Sequence, residues 1–335
     1  MISQDIDIKP FNTFGISVKA RQYLPIYELQ DLRLIEQNQP IFVLGGGSNV
    51  LFSQDYEGLL VHVKLSGIEK LEETSEEVLL RVAAGENWHQ LVLYTLANNW
   101  GGLENLALIP GTAGAAPIQN IGAYGAELSE TFMYLDFYEF ASRQVKRLTK
   151  AACQFGYRDS IFKNELKNKG IITAIYLNLK KQPHTLKLGY GAIKEALEKQ
   201  GSTDKTTIQQ VAKAVISIRQ SKLPDPQKIG NCGSFFKNPE VPVQQYDTLK
   251  KQFPNLAAFS TSSPMSMKLA AGWLIEQCGW KGKKIGQAGV YEHQALVLVN
   301  HGNASAAELM ALAKQIQHDV YQKFAVHIVP EVNVV

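Results

Sequence analysis

The sequence predicts an α+β fold, strand-rich in its first part and richer in helix towards its end. Three observations predict it. Short runs of valine, isoleucine and leucine closed by glycine or polar turns crowd the first part. Helical periodicity with N-terminal capping patterns marks the later part. A stretch with two prolines and a glycine, LPDPQKIGN (223–231), reads as a linker or rigid loop between them. At 335 residues the chain exceeds one ordinary core, so two or three domains are expected.

Taken in order, IFVLGGG (41–47), LLVHV (59–63) and VLLRVAAG (78–85) read as strands. WHQLVLYTLANNW (88–100) reads as a helix with Trp88, Leu91, Val92, Thr95 and Leu96 on one face. IPGTAGAAPIQNIGAYGAEL (109–128), with four glycines and two prolines, has little helix in it. Strands resume at YLDFYEF (134–140) and IITAIYLNL (171–179). TTIQQVAKAVISIRQSK (206–222) opens on Thr207-x-x-Gln210 and ASAAELMALAKQIQHDVYQKF (304–324) on Ser305-x-x-Glu308, both helix-capping patterns. SMKLAAGWLIEQC (266–278) reads as a third helix of this part, and QALVLVN (294–300) and VHIVPEVNVV (326–335) as strands. Boundaries near residues 67 and 218 divide the chain into 1–67, 68–218 and 219–335.

Bulk properties narrow the function classes. With 45% hydrophobic and 19% charged residues this is a globular chain, not a disordered one. A net charge of +3 argues against a dedicated nucleic-acid binder. Cys153, Cys232 and Cys278 are odd in number and far apart, which describes neither a disulfide framework nor a metal site and favours a reducing compartment. The start, MISQDIDIKPFNTFG, shows no export signal, and no apolar run approaches the ~20 residues of a membrane span. A cytoplasmic protein without membrane or nucleic-acid partners, and acting as a monomer, is expected.

Two glycine segments and one serine carry the candidate chemistry. GGGSN (45–49) exposes backbone N–H groups suited to a diphosphate, with Ser48 and Asn49 adding side-chain hydrogen bonds. Val50 stands where a dinucleotide G-x-G-x-x-G needs glycine, and no P-loop pattern occurs. A tight turn between strands is the alternative. PGTAGAAPIQNIGAYG (110–125) combines small residues with Gln119, Asn120 and Tyr124, so its main chain can lie against a flat or extended ligand. A surface loop is the alternative there. In GNCGSFFKNP (230–239), Gly233 permits a turn that holds up Ser234 as nucleophile, proton donor, phosphate clamp or mere turn residue. The nucleophile elbow G-x-S-x-G fails, because Cys232 and Phe236 occupy its glycine positions.

Seven segments then stand in a telling order: VLGGGSNVLF, PGTAGAAPIQNIGAYG, FGYRDSIFK (155–163), KLPDP (222–226), GSFFKNP (233–239), KLAAGWLIEQ (268–277) and PEV (330–332). Together they closely resemble the UDP-N-acetylenolpyruvoylglucosamine reductase family, flavoenzymes that make UDP-N-acetylmuramate for peptidoglycan. The likeness runs from Asn12-Thr13-Phe14-Gly15 almost to the C-terminus, and is to the family's longer type, with a tyrosine after FG and an inserted loop in the last domain.

The resemblance implies a vanillyl-alcohol-oxidase type FAD-binding fold of two α+β subdomains, over about residues 15–187, and a C-terminal substrate domain. It implies non-covalent FAD, held by Gly45, Gly46, Gly47, Ser48, Asn49 and Val50, and by Pro110, Gly111, Ala115, Ala116, Gln119, Asn120, Ile121, Gly122, Ala123, Tyr124 and Gly125. Arg219 and Leu223 would also touch it. NADPH is the implied hydride donor, and UDP-N-acetylglucosamine enolpyruvate the implied acceptor. Arg158 and Glu331 would sit at the substrate carboxyl, Arg158 as an always-charged fork and Glu331 as a carboxyl that must hold or share a proton there. Ser234 would protonate the carbon beside that carboxylate. Tyr157, Tyr190, Lys222, Asn238 and Gln294 would bind the remaining substrate.

One position departs from the resemblance. The longer type closes a loop tyrosine over the diphosphate, whereas PNLAAFSTSSP (254–264) offers Phe259, which has no hydroxyl. Read without the resemblance, Arg158–Asp159 is a surface pair and Glu331 a solvated acid on the face of 326–335 opposite Val326, Ile328, Pro330 and Val332. The competing functions are a related FAD-dependent oxidase acting on another substrate, and a non-catalytic nucleotide-binding regulator on the same fold.

Overall fold

A computed structural model describes the whole chain except residues 37, 200, 202–205 and 262. Residue 262 falls in the segment 254–264 expected as a loop, so that position lies outside the described residues, and Phe259 itself is in a strand, Ala258–Ser260. Two compact units emerge, each with its own apolar core. Unit one comprises Met1–Ile6, Ala20–Gly47 and Tyr56–Gln220; unit two comprises Asp7–Lys19, Ser48–Asp55 and Ser221–Val335. The chain thus passes from unit one to unit two between Gly47 and Ser48, inside the GGGSN segment.

Unit one carries two sheets. In the four-stranded sheet, Tyr56–Val63 lies between Lys19–Ile26 and Ile41–Leu44 and is parallel to both, with Val61 opposite Leu24 and Val43. A parallel strand is covered on both faces, which is why LLVHV is continuously apolar apart from His62 and buried throughout. The five-stranded sheet is antiparallel, in the order Gln144–Thr149, Phe132–Glu139, Gly170–Lys180, Glu77–Ala83, Ile68–Glu73. Helix α1 (Trp88–Ala97) buries the expected face of Trp88, Leu91, Val92, Thr95 and Leu96; Asn87 caps it by accepting the Gln90 N–H at 3.0 Å. Helix α2 (Gly191–Lys199) follows, and then α3 (Ile208–Lys222), which begins on the predicted reciprocal cap between Thr207 and Gln210.

Unit two packs α4 (Val243–Gln252), α5 (Ala271–Gln277) and α6 (Ala306–Phe324) with short sheets, antiparallel but for one two-stranded parallel pair. Helix α6 buries Leu309, Leu312, Ala313, Ile316, Val320 and Phe324, a stripe at helical spacing, and starts on the predicted Ser305–Glu308 capping box.

Two predicted elements are corrected. The helix expected over 266–278 is a strand, Ser266–Leu269, followed by the short α5. That strand is central in a three-stranded sheet, with Lys268 opposite both Glu240 and Phe259, so pairing on both sides outweighs the helical leaning of its residues. Of the strand expected over 326–335, only Asn333–Val334 pairs regularly, parallel to Val50–Leu51; upstream, Pro330 makes a single bridge to Phe236. The alternation survives without the ladder, since Val326, Ile328 and Val332 are buried while His327, Val329 and Asn333 are exposed.

Candidate active site

In unit one, the glycine turn and the 110–125 segment meet main chain to main chain. A Cβ on Gly46 would stand 2.8 Å from the Gly111 Cα, and one on Gly45 would stand 2.7 Å from the Thr112 Oγ1. Gly47 has φ of 63°, a left-handed conformation that glycine adopts without strain. Beneath this turn lies His62, 4% exposed, whose Nδ1 is 2.9 Å from the Tyr23 hydroxyl and whose ring also bonds the Gly45 backbone. Burial, helped by the Lys64 charge, lowers its pKa to about 4, so the imidazole is neutral near pH 7.

Further along the segment, Pro117 lies in a short 3₁₀ turn, Ala116–Gln119, that ends on Asn120 in a left-handed conformation. Asn120 is 1% exposed: its Nδ2 donates to Glu127 Oε2 (2.8 Å) and the Gly156 carbonyl (3.2 Å), and its Oδ1 accepts from the Ser129 N–H (3.0 Å). Its side chain therefore shapes the loop, and its backbone N–H closes the turn on the Pro117 carbonyl at 3.3 Å. Ser160 ties FGYRDS to the same loop by donating to the Ile118 carbonyl at 2.7 Å.

The end of the segment gathers most of the predicted polar residues of unit one. Arg158, itself left-handed at φ 53°, donates to the Gly122 carbonyl and lies 5.4 Å over the Tyr157 ring. Tyr124 and Tyr190 pack edge to face at 5.3 Å. They line a cleft of about 450 Å³ together with Gly125 and residues 186–189. Arg219 bonds the Tyr124 side chain and donates from Nε to the Leu108 carbonyl at 3.2 Å. Burial lowers the Arg219 pKa, with Tyr124 opposing and the Arg158 charge adding to the shift, while burial raises the Tyr124 hydroxyl. Two guanidinium groups thus sit close enough to sense each other, an arrangement suited to an anionic ligand.

Unit two brings Ser234 and Glu331 onto neighbouring chain segments. Ser234 ends the strand Gly230–Ser234, is exposed, and pairs with Val297 beyond a bulge at Cys232 and Gly233. The bulge is fixed by buried Asn231, which donates to the carbonyls of Pro224 (3.2 Å) and Ile229 (2.9 Å) and accepts the Gly233 N–H (2.9 Å). The next residue, Phe235, accepts the Glu331 N–H at 2.8 Å, and Lys237 donates to the Val329 carbonyl at 3.0 Å. Asn49 supports the same strand: its Nδ2 reaches the Glu331 carbonyl at 3.5 Å, and its own carbonyl accepts the Asn333 N–H at 3.1 Å. Burial, and then the charge of Glu331, raises the Cys232 thiol pKa, so this cysteine stays protonated.

Asn238 and Gln294 converge on the start of α5. Asn238 Oδ1 accepts the Ala271 N–H at 3.0 Å, a cap supplied from outside the helix, and Gln294 Oε1 would be 3.0 Å from a Cβ on Gly272. Lys222 is exposed at the end of α3, Leu223 is half-buried, and Phe259 is 46% exposed on the strand Ala258–Ser260.

Comparison with known proteins decides the family. A model of the UDP-N-acetylenolpyruvoylglucosamine reductase C-terminal domain matches residues 225–335, and an FAD-binding domain model matches 32–144. The UDP-N-acetylenolpyruvoylglucosamine reductase of Flavobacterium johnsoniae is 44% identical, over 100% of this chain and 99% of its own. That of Paraburkholderia phymatum is 47% identical, over 98% of this chain and 96% of its own. The chain belongs to the UDP-N-acetylenolpyruvoylglucosamine reductase family. Among solved structures, the reductase of that name from Thermus caldophilus superposes with a TM-score of 0.69 at 21% identity, over 100% of this chain and 98% of that one, which speaks to the fold. The fold is therefore the expected α+β FAD-binding type with a C-terminal domain added.

FAD is the family's cofactor, and the residues of unit one fit it. A side chain at position 46 would fill the space where the two backbones approach, so this part of the unit is lined by main chain and small residues, as a diphosphate cradle requires. What the motifs of this family do not announce is the support behind the loop. Residues 84–89 stitch it down: Gly114 N–H donates to the Ala84 carbonyl (2.8 Å), Ala113 N–H to Glu86 (2.8 Å), Trp88 N–H to Gly111 (3.1 Å), and the Trp88 ring N–H to Leu106 (3.0 Å). His89 completes the set, its Nδ1 accepting the Leu108 N–H at 3.0 Å. From sequence these residues read only as a strand end and a helix start. The asparagine at 87 marks only the helix start, and nothing local signals that a loop packs there.

Proposed function

We infer that this chain reduces the enolpyruvyl group of UDP-N-acetylglucosamine enolpyruvate to the lactyl ether, giving UDP-N-acetylmuramate for peptidoglycan, with FAD as cofactor and NADPH as hydride donor. The observation that carries it in this chain is the close approach of Gly46 to Gly111, a main-chain cradle that any side chain would close. FAD, when bound, supplies a relay that accepts hydride from NADPH and delivers it to the substrate double bond.

The protein's own residues do the rest. Hydride addition pushes an electron pair towards the substrate carboxylate, and Arg158 stabilises that developing charge with a guanidinium already oriented by its bond to Gly122. Ser234, exposed at the end of its bulge, gives its hydroxyl proton to the carbon beside the carboxylate and regains one from water or Lys222. Glu331 holds the carboxyl end, its backbone fixed by Phe235 and Asn49. Tyr190 and Tyr157 offer aromatic faces to the nucleotide, and Lys222, Asn238 and Gln294 contact the diphosphate and sugar. The enzyme works in the cytoplasm as a monomer; among the described residues no helix is long and apolar enough to cross a membrane.

An anaerobic titration in two steps tests the reading. Purified protein carries an oxidised flavin spectrum that NADPH bleaches, and the enolpyruvyl substrate then restores it without oxygen. Bleaching that persists after substrate is added overturns the proposed reaction, and a single dimer peak in light scattering overturns the monomer.

A further inference from the structure

We infer that His89 is a positioning residue for the flavin loop: together with Arg219 it holds Leu108 in a left-handed conformation and so sets the path of the residues that follow. Leu108 has φ of 59°, a conformation that side chains other than glycine, asparagine and aspartate rarely hold. Both its peptide groups are gripped by side chains. Its N–H donates to His89 Nδ1 at 3.0 Å, and its carbonyl accepts from Arg219 Nε at 3.2 Å. Two residues on, the loop begins at Pro110 and Gly111, and the Gly111 carbonyl is already bonded to Trp88 of the same helix turn. The change of hand at Leu108 is therefore the joint at which the chain, having passed back along the start of α1, turns into the segment that faces Gly46.

Two further observations support a positioning role over mere packing. An imidazole can accept at Nδ1 only while that nitrogen is unprotonated, and burial, aided by the Arg219 charge, lowers the His89 pKa and so favours that form. Arg219, the charged group that faces His89, also bonds Tyr124, so one guanidinium ties Leu108 before the loop to Tyr124 near its end. Arg219 of α3 thus grips both ends of the segment 110–125, and His89 of α1 joins it at the first.

The inference rests on the reading that this segment holds FAD, and the test separates the two. The dissociation constant for FAD is measured by flavin fluorescence on stripped wild type, His89→Ala, His89→Asn and the double variant His89→Ala/Leu108→Gly. Losing the clamp in His89→Ala raises Kd roughly tenfold, the worth of about one hydrogen bond. Asparagine puts an amide oxygen near the position of Nδ1, and His89→Asn stays within about threefold of wild type. Glycine at 108 takes the left-handed conformation without help, so the double variant regains most of the affinity that His89→Ala lost. Where His89→Ala does not fold, Leu108→Val tests the same joint from the other side, since a β-branched residue resists positive φ and weakens FAD binding with His89 intact. Equal Kd for all variants overturns the inference, as does His89→Asn binding as weakly as His89→Ala, or a double variant weaker than either. Wild type that takes up no FAD at all defeats the flavin reading itself, and this inference with it.

Discussion

Substitution of Gly46 by alanine probes the cradle most directly. The added Cβ would stand 2.8 Å from the Gly111 Cα and 3.2 Å from its carbonyl carbon. Carbon atoms rest at about 3.5–4.0 Å from each other, so the two segments must part by roughly 0.7–1.2 Å. Neither neighbour is the free end of a flexible side chain: both are backbone, and the Gly111 carbonyl is bonded to the Trp88 N–H. Overpacking of this kind costs about 1–3 kcal/mol. Expressed in FAD affinity that is roughly 5- to 150-fold in Kd. The assay is a fluorescence titration of stripped protein with FAD, with thermal unfolding of the FAD-free form in parallel to show how the cost divides between folding and binding. Gly191→Ala is the control, because a Cβ at Gly191 meets nothing within 4 Å. If Gly46→Ala binds FAD as tightly as wild type and unfolds at the same temperature, the approach of the two glycines has nothing to do with cofactor binding.

Three other substitutions bear on the site. Ser234→Ala slows restoration of the oxidised spectrum by substrate roughly 10²–10⁴-fold in stopped flow and leaves bleaching by NADPH unchanged; equal slowing of both steps makes Ser234 structural. Asn231→Ala removes the three bonds that fix the bulge before Ser234 and costs about 1–3 kcal/mol in urea unfolding, with the same step slowed; unchanged stability refutes the bulge argument. His62 is buried as a neutral group with its pKa lowered to about 4 from 6.5, so its contribution is intact above pH 6.5 and is lost as pH falls from there towards 4. The unfolding free energies of wild type and His62→Gln then converge by about 3 kcal/mol between pH 7 and pH 4, and a gap that stays constant over that range shows that His62 does not titrate there.

Sequence reading succeeded where local physics decides the outcome. Helix α6 has a capping box at one end and an apolar stripe along its length, and both are visible in consecutive residues. Within the strand Tyr56–Val63, the stretch 59–63 is apolar apart from His62 because it is covered on both faces. Ser266–Leu269 reads as helix because nothing within those residues reveals two pairing partners that both lie upstream, Glu240–Pro242 and Ala258–Ser260. The same limit applies at the site. The composition of GGGSN and of the 110–125 segment leaves both a ligand cradle and a plain turn or loop open, and that Gly46 rests on Gly111 is a long-range fact, carried by residues 65 positions apart. Ser234 and Glu331 share a neighbourhood because Phe235 accepts the Glu331 N–H, a pairing that spans nearly a hundred residues. His89 was the least legible of all. On a helix, a histidine beside a buried tryptophan looks like an ordinary boundary residue, and only the left-handed Leu108 against its ring nitrogen gives it a task. The residues that touch a ligand tend to be conspicuous through composition. Those that hold them in place are ordinary residues made special by what the fold sets against them, and a substitution there tests the fold's part in the chemistry more sharply than one in the motif itself.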